Sequence, residues 1–192
     1  MNKTRLEAFS DAVIAIIMTI MVLELKIPHG TDLEALKPLL PVFLAYVLSF
    51  VYLGIYWNNH HHMLQATRKV NGKVLWANML LLFWLSLIPF ATGWMGENHF
   101  APLPTAIYGV VLVMAALSYT LLQNKLVHHS KGENAELGEA VGGDIKGKIS
   151  LAAYVLAIPL AFVYEHISHA IYALVALMWI IPDRRIERKI NQ

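Results

Sequence analysis

Hydrophobic positions in this chain do not alternate; they run in long blocks separated by short polar stretches. Six blocks are long and apolar enough for a helix to cross a bilayer: residues 8–27, 38–57, 74–94, 103–123, 149–165 and 167–182. About 20 mostly apolar residues are needed, and helices suit the task because they satisfy every backbone group internally where no water is available. The pattern predicts an all-α membrane protein, with six transmembrane helices forming a single domain over residues 1–192. The last two blocks are short and meet through Glu165-His166-Ile167-Ser168-His169, which suggests a tight helical hairpin. Pro41, Pro89 and Pro159 fall inside blocks, where kinks rather than breaks are expected.

The first block is the most informative. From Ala12 to Leu23 every residue except Thr19 is apolar, yet Asp11 and Glu24 stand at its two ends. A carboxylate at such a depth costs several kcal/mol, on the order of 3, unless it finds a partner or water. Leu25-Lys26-Ile27-Pro28 offers no small-residue cleavage site, so residues 1–28 are expected to remain in the mature protein. Ile16, Ile20, Leu23 and Ile27 follow helical spacing and form one narrow stripe, with Thr19 at its edge. Asp11 lies about 140° around the helix from Ile16 and is expected to face neighbouring helices instead. Periodicity alone leaves the stripe facing lipid, another helix or a pore.

Composition strengthens the membrane reading. The chain is 57% hydrophobic and 15% charged, and its mean hydropathy of +0.53 lies outside the range of a soluble domain. It has no cysteine, which removes disulfides and thiolate metal sites. Thirteen of the 15 Lys and Arg residues fall on the side shared by both termini, leaving only Lys26 and Lys37 opposite. The positive-inside rule then predicts cytoplasmic termini, and the expected location is the plasma membrane. Glu24, Asp32, Glu34, Glu97 and Glu165 collect on the outer side, where they would modestly concentrate cations. The 124–148 loop, rich in glycine and mixed charge, reads as a flexible cytoplasmic connection. It contains no catalytic pattern, and the chain shows no nucleotide-binding glycine fingerprint, so neither an enzyme nor a cofactor is indicated.

Polar residues inside the blocks are few. Tyr56-Trp57-Asn58-Asn59-His60-His61-His62-Met63 ends the second block. Adjacent histidines diverge by about 100° on a helix, whereas helical zinc sites use His at i and i+4, so the run does not read as a metal site. The better reading is that one or two imidazoles satisfy Asp11 at the same depth, with Asn78 of the third block beside them. Tyr154, Tyr164, Tyr172, Trp94 and Trp179 read as interfacial anchors or packing, and His128 and His129 as solvated. His166 and His169 could in principle sense pH on the outer side.

Arg5-x-x-x-Phe9-Ser10-Asp11, together with Trp57-x-x-His60-His61, Trp76-x-Asn78 and the six-block count, resembles the TMEM175 family of potassium channels, in particular its bacterial single-repeat members. The resemblance implies a homotetramer in a lipid bilayer, with the first helix of each subunit lining a central pore that passes potassium without a carbonyl filter. It also implies a constriction at Ile16, further layers at Ile20 and Leu23, and a hydroxyl at Thr19 near the filter. Arg5, Phe9, Ser10, Asp11, Trp57, His60, His61 and Asn78 then correspond to structural bracing between helices or subunits. The rival readings are a proton-coupled secondary transporter using Asp11 and Glu24, which would be expected to show inverted repeats and broken helices, and a membrane enzyme built on the histidine run, which its ligand spacing disfavours.

Overall fold

A computed structural model describes residues 2–65, 67, 70–129 and 144–180. Seven α-helices occupy them: α1 Lys3–Ile20, α2 Leu40–Gln65, α3 Gly72–Ser86, α4 Ile88–Glu97, α5 Pro102–His129, α6 Ile145–Leu160 and α7 Glu165–Ile180. Helices α3 and α4 are separated by Leu87 alone, so the described residues make six helical rods. Four of these, Lys3–Glu24, Leu33–Gln65, Gly72–Glu97 and Pro102–Val127, are long and apolar enough to cross a membrane. The other two have 16 residues each, about 24 Å at 1.5 Å per residue, and form a shorter hairpin. Arg68, Lys69, Lys131, Arg184, Arg185, Arg188 and Lys189 of the charge pattern, most of the glycine-rich loop and the end of the 167–182 block lie outside the described residues.

The helix ends follow from local chemistry. Asn2 opens α1 by accepting a hydrogen bond from Thr4 N at 3.2 Å, and Asn71 opens α3 by accepting from Val74 N at 3.0 Å. The first rod begins five residues before its apolar block, because Lys3, Arg5 and Glu7 prolong the helix past the hydrophobic slab. After Ile20 it tightens into a 3₁₀ turn, Met21–Glu24. A second 3₁₀ segment, Leu33–Leu39, leads into α2, which puts Pro41 in that helix's first turn. Pro89 has no N–H for the carbonyl of Leu85, and the third rod is interrupted there at Leu87 before continuing. His99 and Phe100 take φ of 50° and 61° in the turn before α5. The hairpin reverses at residues 161–164. Glu165–His169, the expected connection, is instead the start of α7; Pro159 sits next to the end of α6.

The core lies among α2 to α7, with Tyr52, Leu53, Leu81, Leu85, Tyr108, Leu112 and Tyr172 almost fully buried. The hairpin is pinned by Ser168 Oγ donating to Ala157 O at 2.7 Å and Trp179 Nε1 donating to Ser150 Oγ at 2.8 Å. Half of the most apolar windows of the third and fourth rods is buried, against 28% for the first and 22% for the second. The first helix therefore sits at the margin of the bundle, with one face packed and the other open.

Candidate functional site

Helix α1 packs through Leu6, Ser10, Ile14 and Ile17, continued by Met21 in the 3₁₀ turn. Along the helix these positions follow the i, i+4 and i+7 steps of a single buried face. The opposite face carries the stripe. Ile16 is 56% exposed, Ile20 44% and Leu23 77%, and Thr19 is exposed between them. Thr19 Oγ1 donates to Ile16 O at 2.9 Å, so its hydroxyl proton is spent on the backbone while the oxygen can still accept. Because Leu23 lies in the 3₁₀ turn, where residues three apart eclipse, it stands directly over Ile20. Ile27, at 84% exposed, lies beyond this turn in the connecting segment.

Ile16 and Ile20 also form one wall of an open groove against α4, lined opposite by Pro89, Phe90, Gly93 and Trp94. Glu24, at the end of the 3₁₀ turn, also lines this groove. A Cβ on Gly93 would meet Glu24 Oε2 at 3.0 Å, so the missing side chain there is what lets the carboxylate lie against α4. Just past the first span, Lys26 Nζ pairs with Glu97 Oε1 at 2.6 Å. The hydrogen bond to Glu97, reinforced by its charge, holds the Lys26 pKa above the usual lysine value.

The Arg5-to-Asp11 motif divides in two. Its inner part is buried. Ser10 Oγ donates to Leu6 O at 2.8 Å and accepts from Asn78 Nδ2 at 2.9 Å, while Asn78 Oδ1 pairs with His60 Nε2 at 2.7 Å. Ser10, His60 and Asn78 thus tie α1, α2 and α3 together away from water, and Asn78 can do this because an amide both donates and accepts. The other ring nitrogen, His60 Nδ1, is buried without a hydrogen-bond partner.

The outer part faces away from the bundle. Asp11 is half-buried, and its Oδ1 accepts from Trp57 Nε1 at 3.1 Å. His61, exposed, stacks on the Trp57 ring with centroids 6.1 Å apart. Arg5 and Phe9 are exposed on the same helix. No imidazole hydrogen bond to Asp11 is seen among the described residues, which corrects the expected pairing. Trp57 and His61 are four residues apart and share the outer edge of α2, whereas His60 is rotated toward α3 and finds Asn78. The step of about 100° between neighbours leaves His60 buried against α3 and His61 exposed.

A second buried polar cluster was not evident in the hydrophobic pattern. Thr92 Oγ1 donates to Ser49 Oγ at 2.6 Å, Ser49 Oγ pairs with Tyr108 Oη at 2.9 Å, and Tyr52 Oη donates to Tyr172 O at 2.6 Å. Tyr154 and Tyr172 are buried among these groups instead of anchoring an interface, while Tyr164 is exposed. His169 Nε2 pairs with Thr105 Oγ1 at 2.9 Å. Isolated hydroxyls in apolar blocks were the only available signal, and they do not reveal their partners.

The family model described as endosomal/lysosomal potassium channel TMEM175 matches residues 5–89, which include both halves of the motif. A protein named potassium channel from Chryseobacterium sp. is 55% identical over 192 residues, covering 100% of both chains. A second, from Streptomyces collinus, is 30% identical over 190 residues, covering 93% of this chain and 92% of its own. The crystal structure of a lysosomal potassium-selective channel TMEM175 homolog from Chamaesiphon minutus superposes with a TM-score of 0.80 at 25% identity, covering 93% of this chain and 96% of that one. With a relative this similar along its whole length, the chain belongs to the TMEM175 family of ion channels.

Proposed function

We propose that this protein is a potassium channel of the plasma membrane, a homotetramer with cytoplasmic termini in which four copies of α1 surround the conduction path. The observation that carries the reading is the open stripe of Ile16, Ile20 and Leu23, which leaves α1 with a continuous aliphatic face that its own bundle does not cover. Around a four-fold axis that face becomes three stacked rings. Four residues at about 1.5 Å and three 3₁₀ residues at about 2.0 Å give a collar of roughly 12 Å within a hydrocarbon core of about 30 Å.

An aliphatic collar supplies no ligand to replace lost hydration water, so an ion passes at the cost of whatever water it sheds. Potassium sheds water more easily than the smaller sodium, which sets the direction of selectivity and keeps it modest. With no ion in transit, such a collar can also close by dewetting. Glu24, beyond Leu23, places a carboxylate ring at the outer mouth that concentrates cations. Arg5, Phe9, Asp11, Trp57 and His61 brace neighbouring subunits, while Ser10, His60 and Asn78 hold α1 within its own subunit.

The test is potassium flux from proteoliposomes, with bi-ionic reversal potentials for the Ile20→Asn variant. A polar ring at Ile20 supplies water-like ligands and is expected to raise flux and reduce potassium preference. Flux and selectivity identical to the parent would place Ile20 off the path and refute the proposal.

A further inference from the structure

Trp76 is one of the residues that carried the family resemblance, yet neither the collar nor the bracing uses it. It is 78% exposed on a stripe of α3 that continues through Met79, Leu80 and Phe83, at helical steps of three, four and seven. Leu121 of α5 faces this stripe, and together they line an open groove between α3 and α5. Two cations stand at one end of the groove, Lys73 just before Trp76 and Lys125 one turn after Leu121, with Asn71 beside them. Both lysines are exposed, and no carboxylate among the described residues pairs with either of them.

We infer that this groove is a binding site for an anionic phospholipid. The phosphate sits between Lys73 and Lys125, and an acyl chain lies along Trp76, Leu80 and Phe83. Charge fixes the headgroup's sign, because two ammonium groups line the same groove and no carboxylate among the described residues neutralises either of them. Length fixes the kind of molecule. From Lys73 to Phe83 the helix rises about 15 Å, the depth of one leaflet's hydrocarbon in a core of about 30 Å. Trp76, at the junction of charge and hydrocarbon, has the amphipathic ring that membrane interfaces favour. A soluble phosphate would use only the charged end, and a neutral lipid only the apolar part. The site does not depend on what the pore conducts.

The experiment is native mass spectrometry of the full-length protein in detergent, titrated with phosphatidylglycerol, phosphatidylcholine and glycerol 1-phosphate in parallel. Phosphatidylglycerol is expected to bind at one molecule per subunit and the other two much more weakly. Near the membrane surface each lysine contributes roughly fivefold in affinity. The double variant Lys73→Gln/Lys125→Gln should therefore bind about twenty-five-fold more weakly, and Lys73→Arg/Lys125→Arg should bind as the parent does. The arginine variant also controls for misfolding. Equal binding of the two lipids would overturn the assignment, as would unchanged affinity in the glutamine variant. So would disulfide crosslinking of a Trp76→Cys variant to a second copy of the chain, since a protein would then fill the groove.

Discussion

Replacing Asn78 with leucine tests whether the buried polar chain holds the first helix in place. Leucine branches as asparagine does and is larger, so the substitution removes two hydrogen bonds without opening a cavity. Ser10 loses the bond it accepts at 2.9 Å but keeps the one it donates to Leu6. His60 loses its bond at 2.7 Å, and because its other nitrogen already lacks a partner, the ring is left wholly unpaired. An orphaned buried polar group costs about 1–3 kcal/mol, and the Ser10 bond adds about 0.6 kcal/mol, the average for hydrogen bonds inside membranes. The expected loss is about 1.5–3.5 kcal/mol, read as a lower thermal unfolding midpoint of the detergent-solubilised protein. A cycle with Ser10→Ala isolates the link to α1, for which a coupling of about 0.6 kcal/mol is expected. An unshifted midpoint for Asn78→Leu, or strictly additive effects in the cycle, would refute the account of the inner motif.

Two further substitutions probe the outer motif and the close helix contacts. Trp57→Phe leaves an aromatic ring beside His61 but removes the indole donor to Asp11; if that bond braces the assembly, native mass spectrometry should show more dissociated subunits, and adding Asp11→Asn should cause no further loss. A Cβ at Gly96 would lie 2.7 Å from the backbone Cα of Val42, so Gly96→Ala must push α4 away from α2, at about 1–3 kcal/mol of stability. Gly54→Ala, where a Cβ meets nothing within 4 Å, should instead be neutral or gain about 0.5–1 kcal/mol from helix propensity. Thermal unfolding of the pair checks the contrast, and an equal effect from both would refute it.

The composition and the long apolar blocks were enough to identify an α-helical membrane protein, because a chain in hydrocarbon must satisfy its backbone locally and that requirement is written in run length. The helical repeat likewise placed Ile16, Ile20 and Leu23 on one face, since side-chain direction along a regular helix is local geometry. Helix limits were less legible. Charged residues such as Lys3 and Arg5 extend a helix as readily as they end an apolar block, and a single proline, Pro89, interrupted one rod. What only the tertiary structure decided is which polar group meets which. Trp57 and not a histidine reaches Asp11, and His60 turns inward to Asn78, because partner choice depends on how far each helix is rotated about its axis. That rotation is set by packing across residues 18 and 68 apart in the chain, and a periodicity read along one helix contains no record of it.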